Sequence, residues 1–210
     1  MRVLLSTLTL LFLISGLTNL NAKKSTWNWP PKSKAQAVDL SKFTLDENLE
    51  ISLWAKSPMF YNPTNMAIDP LGRIWIAEGV NYREKLGIRR DAGDRIVVLT
   101  DTDGDGSADQ SKVFWQDPYL ESPLGIAVFD NQVVISQPPD IMVLTDVDRN
   151  LEFDPAIDKK DVLLSGFNGR QHDHSLHSVT SGPDGKWYFN SGNCGAIFTD
   201  NSGKTFRMNT

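Results

Sequence analysis

The chain has 210 residues, of which 40% are hydrophobic and 22% charged, and its net charge is −5. That balance suits one soluble globular domain and excludes a disordered chain. The acidic sum, with no run of Lys or Arg, also argues against a nucleic-acid surface.

Arg2 followed by the apolar stretch Val3 to Leu17 has the layout of a secretory signal. Asn19-Leu20-Asn21-Ala22 offers cleavage after Ala22, so residues 1–22 are expected to be a signal peptide. The protein is then exported, to the periplasm or the cell exterior. An uncleaved membrane anchor is the alternative, although the stretch is short for a span. Residues 23–45 contain Trp27, Trp29, Pro30 and Pro31 without a sustained period and read as a linker. Residues 46–210 read as the folded part.

From Leu49 onward, short apolar runs alternate with turn residues. They are Ile51-Ser52-Leu53-Trp54, Ile74-Trp75-Ile76-Ala77, Ile96-Val97-Val98-Leu99, Gln132-Val133-Val134-Ile135 and Ile141-Met142-Val143-Leu144. Val162-Leu163-Leu164, Trp187-Tyr188-Phe189 and Ala196-Ile197-Phe198 continue the series. Each is of strand length and bounded by Gly, Pro, Asp or Asn, and no stretch keeps a helical period, so the fold class is all-β.

The runs repeat. Arg95-Ile96-Val97-Val98-Leu99-Thr100-Asp101-Thr102-Asp103 parallels Asp140-Ile141-Met142-Val143-Leu144-Thr145-Asp146-Val147-Asp148, and Ala196-Ile197-Phe198-Thr199-Asp200 is a looser third copy. Units of about 45–55 residues with four strands each are what propeller blades require. The expectation is a partial β-propeller: the first two to three four-stranded blades of a six- or seven-bladed ring, in an N-terminal part of a longer protein.

Asp101, Asp103, Asp105 and Asp109, with Gly106 to allow a sharp turn, space carboxylates as a calcium loop does. Position twelve is Lys112, so the match to an EF-hand is partial, and a solvated Asp-Gly turn is the other reading. Asp146, Asp148, Asn150 and Asp154 form a second copy with Leu151 in place of the glycine. Calcium at either turn would be structural, neutralising crowded carboxylates. Cys194 is the sole cysteine, which rules out an internal disulfide and a C-x-x-C-H haem attachment in this chain and leaves its pairing open.

All three histidines, His172, His174 and His177, fall just before Gly182-Pro183-Asp184-Gly185. Histidine moves protons near neutral pH, so the cluster reads as a site, with a solvated loop as the plain alternative. The motif His174-Ser175-Leu176-His177-Ser178, followed by Gly182-Pro183-Asp184-Gly185-Lys186-Trp187-Tyr188, resembles the soluble glucose/sorbosone dehydrogenase propellers. It is closer to their planctomycete and verrucomicrobial relatives, the membrane-bound dehydrogenase-like or haem-binding C-x-x-C-H proteins. Trp75-Ile76-Ala77-Glu78 with Asn81-Tyr82, Leu163-Leu164-Ser165-Gly166-Phe167 and Asn193-Cys194-Gly195 fit the latter group. The resemblance covers roughly residues 50–200.

It implies a sugar or alcohol substrate, pyrroloquinoline quinone (PQQ) as hydride acceptor, and an electron acceptor such as cytochrome c in another region or another protein. His174 occupies the general-base position, and His177 would orient it or contact the cofactor. Two departures stand out. Gly192-Asn193 replaces the usual glycine-aspartate, and the family's quinone-clamping residues lie mostly in later blades. Two other functions remain open. One is a non-catalytic, calcium-stabilised propeller binding carbohydrate or a protein, with Trp115, Tyr119 and Trp187 as stacking candidates. The other is a metal-dependent lactonase-type propeller using Glu78, which either faces the central channel or is a plain loop carboxylate.

Overall fold

A computed structural model of the chain describes residues 38–81, 89–168 and 174–208. The proposed signal peptide, most of the proposed linker, Tyr82 and His172 lie outside these residues. Among those described there is no α-helix, a 3-10 turn lies at Leu40–Lys42, and no helix is long and apolar enough to cross a membrane.

Twelve strands follow: β1 (Pro63–Ile68), β2 (Ile74–Glu78), β3 (Arg95–Thr100), β4 (Gln110–Gln116), β5 (Gly125–Phe129), β6 (Gln132–Gln137), β7 (Asp140–Thr145), β8 (Lys159–Phe167), β9 (Leu176–Ser181), β10 (Trp187–Ser191), β11 (Ala196–Asp200) and β12 (Thr205–Met208). β1–β4 and β5–β8 form two successive antiparallel meanders, each in chain order. β1 packs beside β5, and β5 beside β9, so the first strands of successive units line up as the inner strands of propeller blades do. The 45-residue repeat thus places equivalent third strands, β3 and β7.

The continuous apolar runs follow from burial on both faces. Ile96 and Val98 of β3 join Trp75, Phe114, Ile126, Val133, Ile135, Met142 and Leu144 in a core between the first two sheets. Val97 and Leu99, on the opposite face, are covered by Trp54, Met59 and Phe60. The expected strand at Ile51–Trp54 is therefore not a strand. It is a covering segment, tied by one bond from Ala108 N to the Trp54 carbonyl (2.7 Å). Val134, Ile141 and Val143 form a second core with Phe167, Leu176, Val179 and Phe198.

The third unit is split. β9 and β10 pair as a hairpin, while β11 and β12 extend the second sheet by pairing β11 to β8. Gly166 allows that junction: its φ is +114, and a Cβ there would run into the Ile197 carbonyl.

Antiparallel order sorts the connections onto two ends. The β1–β2, β3–β4, β5–β6, β7–β8 and β9–β10 turns lie at one, and the β2–β3, β4–β5, β8–β9 and β10–β11 loops at the other. With strands of five or six residues, the ends are about 17–20 Å apart.

Candidate functional site

At the loop end the inner strands are stitched together by polar side chains. Asn65 of β1 donates from Nδ2 to the Leu124 carbonyl (3.0 Å) and to Ser178 Oγ of β9 (3.1 Å). Thr64 Oγ1 donates to the Pro123 carbonyl, and Ser136 Oγ of β6 to the His177 carbonyl. This close approach needs Gly125, because a Cβ there would sit 2.5 Å from the His177 carbonyl oxygen.

His174 is exposed just before β9, and its Nδ1 lies 2.8 Å from Asn193 Oδ1. An amide oxygen only accepts, so Nδ1 is the donor in this bond and the ring's orientation is set by it. The loop carrying Asn193 is fixed by Gly192 N donating to the Ser175 carbonyl (2.7 Å) and Cys194 N to the His174 carbonyl (3.1 Å). His177 is half-buried on β9, and Cys194 is half-buried beside Asn193. Asn193 stood out in the sequence as part of Asn193-Cys194-Gly195 and as a departure from the usual glycine-aspartate, and Ser178 as the end of the histidine motif. Asn65 carried no signal, because its meeting with Ser178 joins residues 113 positions apart.

Glu78 is the clearest correction. It is fully buried and faces no channel. Oε2 accepts from Arg90 Nη1 (2.6 Å) and Arg95 Nε (2.8 Å), while Oε1 accepts from Arg95 Nη2 (2.6 Å) and Tyr61 N (2.8 Å). With four donors committed to it, Glu78 is a structural ion-pair hub. Beside it, buried Asp94 accepts from Val80, Asn81 and Ser122 N–H groups. Burial pushes the Asp94 carboxyl up to about 6, against those donors and the Arg90 charge, which pull it down. Trp115, a candidate for sugar stacking, is also buried, and the Lys160 ammonium lies 4.8 Å from its ring centroid.

The acidic turns lie at the opposite end. Asp101, Asp103 and Asp105 bring carboxylate oxygens within 4.8 Å of one another, and so do Asp146, Asp148 and Asp158. Either group has the oxygen chemistry for a hard cation. A Gly106 N–H bond, assisted by Gly104, outweighs burial and holds the Asp101 carboxyl below its ordinary range. Asp109 turns instead to Thr102 (2.5 Å). In the second turn Asn150 Oδ1 accepts from Glu152 N (2.7 Å), and Asp154 Oδ1 accepts from Ala156 N (2.8 Å). Asp158 takes the converging place, twelve residues after Asp146, a spacing the first turn does not share.

The fold and this polar rim define a class: an all-β, propeller-type arc of antiparallel blades. Residues 35–210 match the domain of unknown function DUF7133, and the chain belongs to that family. No curated protein matches the sequence. A solved structure, described as the iodide structure of Trichoderma reesei Carbohydrate-Active Enzymes Family AA12, is similar at 15% identity and a TM-score of 0.44. The match covers 73% of this chain, which spans 33% of that one.

Proposed function

We propose that this chain is the N-terminal part of an exported, quinoprotein-type sugar or alcohol dehydrogenase-like propeller, with His174 as the proton acceptor. The observation that supports the reading is the 2.8 Å bond from His174 Nδ1 to Asn193 Oδ1, which orients an exposed imidazole at the rim. A neutral imidazole held this way takes a substrate hydroxyl proton. PQQ, when bound, supplies the hydride acceptor. None of His174, Asn193, Asn65 and Ser178 is anionic. None carries a fixed cation either, so these four suit the proton-acceptor role and leave the quinone's carboxylates to other groups.

In the full-length protein supplied with PQQ, His174→Gln is expected to lower dye-linked sugar oxidation by about 10²–10⁴-fold with the circular dichroism spectrum unchanged. Activity that survives the substitution removes His174 from this role.

The acidic trios favour a second reading, a calcium-stabilised propeller without catalysis. Its structural half is tested separately. Calcium added to chelator-treated protein at about 100 times its dissociation constant should stabilise the fold by about 2.7 kcal/mol for each site filled. Asp101→Asn and Asp146→Asn together should abolish the gain. An unchanged melting temperature and no heat of binding would exclude calcium.

A further inference from the structure

At the turn end, far from His174, a cavity of roughly 160 Å³ lies between the first two sheets. It is smaller than the roughly 300–1,000 Å³ pockets that take drug-sized ligands, and it suits a molecule of single-ring size. Its apolar lining comes from Trp75 of β2, Val133 of β6 and Leu151. Its polar walls are Arg73, Asp130, Asn131, Arg149 and Asp146, the last also a member of the second acidic trio.

The walls are preorganised. Arg149 clamps Asp130 through two bonds of 2.7 and 2.6 Å, linking the β7–β8 loop to the β5–β6 turn. Asn131 Nδ2 donates to the Asp146 carbonyl, and Asp146 N donates back to the Asn131 carbonyl, both at 2.9 Å. Asp130, Arg149 and Leu151 all hold left-handed backbone, with φ of 55, 59 and 63. They are three of the five described non-glycine residues that do so. Such conformations persist where the surrounding structure imposes them, and they concentrate at binding sites.

The charges decide the ligand class. Arg73 gives Nε to Asp69 Oδ2 (2.6 Å), and its side chain lines the wall. Two guanidinium groups stand against the carboxylates of Asp69, Asp130 and Asp146, so the site carries no surplus positive charge for an anion. Charged donors and acceptors set side by side around an apolar floor match hydroxyl groups, which both donate and accept.

We propose that this cavity binds a small, neutral, polyhydroxylated molecule, at a site separate from the His174 rim. The test is calorimetric titration of the full chain with D-glucose and with D-glucuronate, its anionic counterpart. Saturable glucose binding is expected, weakened about tenfold or more by Arg149→Ala, with glucuronate at least tenfold weaker than glucose. His174→Gln should leave this binding unchanged, which separates its failure from failure of the catalytic reading. Arg149 is solvent-exposed, so its replacement should not alter the melting temperature. Absence of saturable glucose heat, equal binding by Arg149→Ala, or preference for glucuronate would each overturn the proposal.

Discussion

Glu78→Gln is expected to lower the free energy of unfolding by about 3–5 kcal/mol, the cost of leaving a buried charge without its partner. Gln keeps the shape and an acceptor for Tyr61 N, but it takes the negative charge from Arg90 and Arg95. Their side chains are only 7% and 19% exposed, so water cannot replace the lost carboxylate. For a domain of this size the melting temperature should fall by about 6–20 °C. Chemical denaturation of wild type and variant measures the difference directly. A loss below about 1 kcal/mol would mean that the triad behaves as a surface pair. The network ties the segment before β1 to the β2–β3 loop, so its failure should loosen the loop end of the first sheet.

Gly125→Ala should also be costly, by a smaller amount and for a different reason. A Cβ at this position meets the His177 carbonyl at 2.5 Å and Ser178 Cα at 3.0 Å. Both belong to backbone, which cannot swing aside as a side chain can. Overpacking of this kind costs about 1–3 kcal/mol, and relief requires β9 to move away from β5. Because β9 follows directly on His174, the same movement should disturb the rim that holds His174 and Asn193. Ser136→Ala gives a check, since the Ser136 hydroxyl is the third atom in the way. Adding it to Gly125→Ala should restore little stability, because the carbonyl remains. Full restoration would place the clash on the hydroxyl and show that the strands are more loosely joined.

The elements legible in the sequence were those with local causes. β2, β3, β6 and β7 read as apolar runs because cores cover both of their faces, which leaves no polar position to interrupt the pattern. The Asp-Gly turns were legible because their carboxylates cap N–H groups two to five residues away, as Asp101 caps Gly104 and Gly106. β1, β4, β5 and β9 were not singled out. Pro63-Thr64-Asn65 and Leu176-His177-Ser178 carry polar groups because they meet neighbouring blades, and that demand comes from outside each strand.

The sequence by itself determined the all-β class, the repeat and the place of the histidine cluster. These depend on periodicity and turn chemistry within a few residues. Only the tertiary structure decided that Asn193 holds His174, that Asp158 joins Asp146 and Asp148, and that Glu78 is locked between two arginines. Each of these pairs residues that the chain separates by ten or more positions. Which partners meet is set by how the sheets pack, because a charged or polar side chain bonds whatever the fold brings within about 3 Å.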